Sequence, residues 1–226
     1  MNDCRFLSWR DAAAAAAQEP GYLHEAAVSA EERLDGCSVV SATGDLERVD
    51  ALLAAGAQEV LLGEGALRDS TLVREAVTRH GERIGLWLPV RRAEASWGLD
   101  TVSNADFSTL AITNPVPRWM ICQADGTLTD VDACWWAGEM IKAGCGKVLV
   151  SVATPEDDDL LACAEMAECA GERFWLDAGS ADIEELRFWV RYGQARRLVL
   201  PAGSDTVSIH TALAQRLDDS EGFPDA

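Results

Sequence analysis

Residues 44–91 read GDLERVDALLAAGAQEVLLGEGALRDSTLVREAVTRHGERIGLWLPVR, and their pattern decides the fold. Leu46, Val49, Leu52 and Leu53 recur at helical spacing. That helix ends at a capping glycine, Gly56, and residues 59–63 (EVLLG) are a short apolar run of strand type. Leu72, Val73, Ala76 and Val77 mark the next helix. Residues 83–90 (RIGLWLPV) are apolar almost throughout, as a strand covered on both faces should be. Strand and helix alternate, which predicts a parallel sheet built from βα units.

The same rhythm extends in both directions. Upstream, residues 5–9 (RFLSW), 22–28 (YLHEAAV) and 37–42 (CSVVSA) are predicted strands, with a helix in the alanine-rich stretch after Asp11. Downstream, residues 147–152 (KVLVSV), 173–178 (RFWLDA) and 196–200 (RRLVL) are predicted strands. One helix is expected to turn Val131, Cys134, Trp135 and Ile141 inward, another Ile183, Leu186 and Val190, and a last one Ile209, Leu213 and Leu217. Thr154-Pro155-Glu156-Asp157 is a helix start: a cap, a proline for the first turn, and acids for the positive dipole end. The rhythm breaks between residues 91 and 130, where Pro115, Pro117 and the turn-like Asp125-Gly126 suggest a hairpin or lid.

Eight βα units in 226 residues predict an α/β protein with a compact (βα)8 TIM barrel, one domain over residues 1–226, and an irregular insertion after the fifth strand. An open doubly wound sheet is the alternative, but no Gly-x-Gly-x-x-Gly follows the first strand. Internal similarity favours the barrel. AAGAQEVLLG (54–63) parallels KAGCGKVLVS (142–151), and SATGDLERV (41–49) parallels DAGSADIEEL (177–186).

Composition excludes several classes. Apolar residues make up 48% of the chain and recur along it, enough for a core and too many for disorder. No apolar run approaches the ~18 residues that span a bilayer. The first residues, MNDCRFLSWRD, lack the basic stretch and apolar core of a signal peptide. With 19 basic and 38 acidic residues the net charge is −19, a field that repels nucleic acid and anionic membranes; neither is expected as a partner. Cys4, Cys37, Cys122, Cys134, Cys145, Cys163 and Cys169 include no C-x-x-C pair and are expected to be reduced thiols in a cytoplasmic core. The histidines, His24, His80 and His210, are scattered. No metal site and no cofactor are expected.

Residues 44–91 resemble strands three to five of the histidine-biosynthesis barrels: the phosphoribosylformimino-carboxamide ribotide isomerase and the cyclase subunit of imidazole glycerol phosphate synthase. Residues 131–204 resemble strands six to eight more loosely, and YLHEAAVSA (22–30) is similar to the second-strand segment of the isomerase. The resemblance implies the TIM-barrel fold and a site at the C-terminal mouth. For the cyclase it also implies assembly as one half of a glutaminase complex.

The functional residues of that family do not carry over. Its strand-one acid falls near Ser8, with Asp11 the nearest carboxylate. Its Ile-Asp-Ala-Arg on strand five is here Leu88-Pro89-Val90-Arg91, which removes a proton carrier. Its Asp-Arg-Asp-Gly-Thr after strand six is replaced around Val152-Ala153-Thr154-Pro155-Glu156. The glycine-rich phosphate turns are reduced to Ser41-Ala42-Thr43-Gly44, Asp177-Ala178-Gly179-Ser180 and Pro201-Ala202-Gly203-Ser204, with Gly63-Glu64 after strand four.

The candidates that remain are Asp11, Glu64 and Asp177 for catalysis. Thr43, Arg91, Thr154, Gly179, Gly203 and Ser204 are candidates for binding a small phosphorylated or polar metabolite. Trp97 and Trp119 are expected at an interface in a homo-oligomer or hetero-complex, and Trp135 in the core of the insertion and its helix. Two functions compete. One is a divergent, non-catalytic histidine-biosynthesis-like barrel that binds a partner protein or small metabolite. The other is an enzyme, isomerase or lyase in type, acting on a small phosphorylated or polar metabolite, with one-carbon cofactor metabolism as a setting. SWRDAAAAA and VSATGDL are similar to segments of the formylfuran-phosphate synthases, but Lys142 and Lys147 lie at the wrong end of the sixth unit for a Schiff-base nucleophile.

Overall fold

The computed structural model describes residues 4–10, 20–28, 33–93, 98–103, 108–113, 117–152 and 155–219. The expectations at Asp11 and the alanine run behind it, at Trp97 and at Thr154 lie outside these residues.

Eight parallel strands form a nearly closed barrel. They are β1 (Arg5–Ser8), β2 (Gly21–His24), β3 (Cys37–Ser41), β4 (Glu59–Leu62), β5 (Ile84–Arg92), β10 (Lys147–Val152), β11 (Phe174–Asp177) and β12 (Arg197–Leu200). Their order is β2-β3-β4-β5-β10-β11-β12-β1. Between β1 and β2 the circle closes through a parallel bridge from Trp9 to Tyr22, with the Arg10 N–H 2.8 Å from the Tyr22 carbonyl. All eight are strands the sequence predicts, consistent with a (βα)8 TIM barrel. β2 stops four residues short of its predicted end, because a 3-10 turn at Glu25–Ala27 carries Glu25 toward Ser41 and Arg48.

Helices alternate with the strands: α1 (Leu46–Ala54), α2 (Glu64–Arg68), α3 (Ser70–His80), α4 (Ala133–Lys142), α5 (Asp159–Ala170), α6 (Ile183–Arg191) and α7 (Thr206–Asp219). None of the described helices is long and apolar enough to cross a membrane. Val49, Leu52 and Leu53 of α1, Leu186 and Val190 of α6, and Leu213 and Leu217 of α7 turn inward as their spacing predicts. The parallel segments 54–63 and 142–151 behave alike. Gly56 and Gly144, at φ 103° and 108°, end α1 and α4 and release the chain into β4 and β10.

Two helical details differ from the sequence reading. α5 begins at Asp159, after a turn in which the Asp159 carboxylate accepts from the Glu156 N–H at 2.9 Å. α4 buries Trp136 and leaves Trp135 59% exposed, so Trp135 is not core. The helix starts at Ala133, its N-cap Asp132 accepting from the Trp135 N–H, and its buried positions are Ala133, Trp136, Ala137 and Met140. Val131, Cys134 and Ile141 pack half-buried against the core, so of the four positions expected inward only Trp135 turns out.

The irregular stretch resolves into two hairpins. β6 (Gly98–Ser103) and β7 (Ser108–Thr113) pair antiparallel in a sheet of their own. β8 (Trp119–Cys122) pairs antiparallel with the C-terminal end of β5, Arg92 opposite Trp119, and β9 (Leu128–Asp132) completes the second hairpin. The insertion thereby extends one strand of the barrel past its rim.

Apolar side chains divide into two clusters, as period-two strands in a barrel require. The larger fills the space between strands and helices. The smaller lies inside the barrel: Tyr22, Val40, Leu61, Leu149, Trp175 and Val199, with Leu7, Trp9 and Trp87 against them. Below it, Lys147 pairs with Glu59, which also accepts from Ser38. The Lys147 ammonium lies 4.9 Å from the Trp175 ring centre and 5.3 Å from that of Tyr22.

Candidate functional site

The inward positions at the C-terminal ends of the strands converge on Asp177. Two steps beyond the interior Trp175 on β11, its side chain points into the mouth. Its Oδ2 accepts from the Trp9 indole N–H at 2.8 Å and from the Ser151 hydroxyl at 3.1 Å. Ser151 in turn accepts from the Trp87 indole N–H at 2.9 Å. The sheet register places Ser151 beside Asp177 on one side and Pro89 on the other, so these groups share one level of the barrel.

His24, two residues past the interior Tyr22, completes the group. Its ring stacks on Trp9 at 4.2 Å and 6°, while Trp87 stands 5.5 Å away at 78°. Burial against these rings lowers the His24 pKa from its ordinary value, and the Asp177 charge opposes that shift. That shift favours the neutral imidazole, although His24 itself is exposed at the mouth. A carboxylate that accepts from Trp9, Ser151 and the Gly179 N–H, beside an imidazole and two indoles, offers charge recognition.

Gly63 serves this cluster. A Cβ there would stand 2.9 Å from the Trp87 ring and 3.1 Å from the Ala42 Cα, so only glycine lets the indole lie across the end of β4.

The other candidates are placed differently. Glu64 is 8% exposed, pairs with Arg68, and accepts from the Ala124 N–H at 3.0 Å. It anchors the β8–β9 hairpin and belongs to a separate cluster from Asp177. Thr43 is exposed in the turn after β3, where the Glu25 carboxylate accepts from Ser41 and from Arg48 at 2.5 Å. The chain's own carboxylate thus occupies that turn. Arg91 is exposed opposite Met120. The Gly179 N–H donates to Asp177 Oδ1 at 3.0 Å, so Asp177 engages the amide that an anion would need. The Ser204 hydroxyl donates to the Pro201 carbonyl at 2.7 Å, closing the Gly203 turn on itself.

Trp119 corrects the interface expectation. It is 3% exposed and its indole N–H donates to Asp159 at 2.8 Å, inside the fold. Trp9, His24, Trp87 and Ser151 are the site residues that sequence reasoning missed. Their signal was parity: each sits on the inward side of its strand, two residues from an interior apolar position or in register with one. Among the described residues no group of three or more His, Cys, Asp or Glu could hold a metal ion.

A cleft of about 460 Å³ opens at the opposite end, among Glu168, Glu172, Phe174, Gln194, Arg196 and Arg197. The mouth is the better candidate, because sites in such barrels lie at the C-terminal ends of the strands.

No family model matches the chain. The imidazole glycerol phosphate synthase subunit HisF of Thermosynechococcus vestitus is 27% identical over 160 residues, covering 69% of this chain and 52% of that protein. The subunit of the same name from Methanosphaerula palustris is 25% identical over 109 residues, covering 47% and 38%. The matched part of the chain spans about half the length of the first relative and less of the second. Together with the nearly closed parallel sheet, these likenesses fit a divergent histidine-biosynthesis-like barrel.

Proposed function

We propose that this barrel binds a small polar metabolite carrying an amine or a cationic ring, at the mouth formed by Trp9, His24, Trp87, Ser151 and Asp177, and that it performs neither histidine-pathway reaction. One observation carries the reading: the Asp177 carboxylate is fixed by Trp9 and Ser151 within an aromatic rim. Carboxylate and π faces both favour a cation. The turns after β3 and β11, occupied by Glu25 and Asp177, argue against a ligand with two phosphates. Seven free thiols and the absence of a spanning helix among the described residues support a cytoplasmic setting.

A second reading, an isomerase or lyase on a small metabolite, is favoured by the neutral His24 beside Asp177, an acid/base pair in reach of a bound ligand. Assembly into a homo-oligomer or hetero-complex is favoured by Trp135, Leu161 and Phe188, exposed on α4, α5 and α6, with Tyr192 just past α6, and by relatives that are named as subunits.

Thermal unfolding with a panel of small amines, imidazolium salts, inorganic phosphate and ribose phosphate tests the proposal. A ligand bound at one hundred times its Kd stabilises by about 2.7 kcal/mol. Amines or imidazolium should raise the Tm of the wild type and lose that effect in Asp177→Asn. Stabilisation by phosphate alone, equal in both proteins, would overturn it.

A further inference from the structure

All seven cysteines are free thiols, and two of them meet at the seam between α4 and α5. Cys134 lies in the first turn of α4 and Cys169 in the last turn of α5. The Cys169 Sγ is 3.1 Å from the Cys134 carbonyl oxygen, and the Cys134 Sγ is 3.9 Å from the carbonyl of Glu165, one turn before Cys169. Gly138, one turn after Cys134, lies beside the Cys169 sulfur; a Cβ there would stand in ordinary contact with it, 3.7 Å away. Cys169 is exposed and Cys134 is half-buried, and each sulfur lies against the backbone of the other residue's helix. The remaining thiols differ: Cys37, Cys122, Cys145 and Cys163 are buried, and Cys4 is half-buried.

We propose that Cys134 and Cys169 are a redox modification site, converted to an intramolecular disulfide by a peroxide. Two thiols on neighbouring helices, with one open to solvent, are the arrangement such a reaction requires. The exposed Cys169 reacts first. Its thiolate attacks one peroxide oxygen and the O–O bond breaks, leaving a sulfenic acid and hydroxide, which takes up a proton to become water. The Cys134 sulfur then attacks the Cys169 sulfur. The S–S bond forms, the S–O bond breaks, and the departing hydroxide leaves as water with the Cys134 proton. In sum, two thiols and one hydrogen peroxide give one disulfide and two waters, the sulfurs losing the two electrons that the peroxide gains. Burial and the neighbouring Cys169 thiol push the Cys134 thiol up, so Cys134 is not the thiol that makes the first attack on peroxide. The cross-link would give α4 and the hairpin before it a second tie to α5, whose Asp159 already holds Trp119.

The test treats the whole protein with hydrogen peroxide, blocks the remaining thiols, and maps the peptides by mass spectrometry with and without reductant. The expected result is a monomer that has lost two hydrogens and carries a reducible link between the Cys134 and Cys169 peptides. Cys169→Ser should form no such link, and Cys134→Ser should carry Cys169 on to sulfinic acid. A wild type with sulfinic acid at Cys169 and Cys134 still alkylated would overturn the proposal, as would a disulfide between chains.

Discussion

Lys147→Met should lower the free energy of unfolding by about 3 kcal/mol, although methionine fills a similar volume. The reason is the charge left behind. Glu59 sits at the lower end of the barrel interior, its side chain only 12% exposed, and Lys147 is its cationic partner. Without the ammonium, the carboxylate keeps only the Ser38 hydroxyl as a donor from this cluster, beside the fully buried Tyr22, whose own pKa burial and Glu59 raise well above the ordinary value. The faces of Tyr22 and Trp175 also lose their cation. Changing both partners removes the stranded charge, so Glu59→Gln combined with Lys147→Met should recover most of the loss. Urea unfolding of the two single variants and the double variant measures this. A Lys147→Met protein as stable as wild type, or a double variant no better than the singles, would contradict the account of the interior.

Trp119→Ala should cost about 3–5 kcal/mol, the range for deleting a large buried aromatic side chain. Two losses combine. The indole is packed near Trp189, with ring centres 6.4 Å apart, and its N–H satisfies Asp159, which is 3% exposed. Trp119→Phe keeps an aromatic ring, though a smaller one, and removes the donor; loss of a hydrogen bond to a charged group alone should cost roughly 1.5–3 kcal/mol. Denaturant unfolding together with a size measurement separates core from interface. The structure predicts lost stability at unchanged assembly state. Unchanged stability with a dissociated oligomer would restore Trp119 to an interface.

The fold was legible because the signals that decide it are local. Apolar runs, helical spacing and capping glycines such as Gly56 and Gly144 mark each βα unit by itself, and eight consecutive units leave few ways to close. The direction of α4 was legible but its rotation was not. Trp135 and Trp136 are adjacent and equally apolar, and only the Asp132 cap and the packing of Ala133 decide which one is buried. The site was legible only at Asp177. Asp177 lies at a strand end, so its position in the mouth follows from the order of elements. Ser151 falls within its strand, and His24 falls within the longer strand that the sequence suggests over residues 22–28, so their meaning depends on which face turns inward and on what the neighbouring strand brings beside them. Glu64 shows the opposite failure: a carboxylate at the rim, well placed in sequence, is used by Arg68 and the Ala124 amide to hold a hairpin. No spacing within the chain announces that contact.

On the function proposed above, a barrel resembling the histidine-biosynthesis enzymes has exchanged their chemistry for a mouth organised by Asp177 and His24. The decisive experiment is expression in histidine auxotrophs lacking either the isomerase or the cyclase. The expected result is no growth without histidine in either strain, because proline stands in place of a strand-five carboxylate and the chain's own carboxylates fill two of the phosphate turns. Growth restored in either strain by the wild-type protein, and lost again in Asp177→Asn, would contradict it.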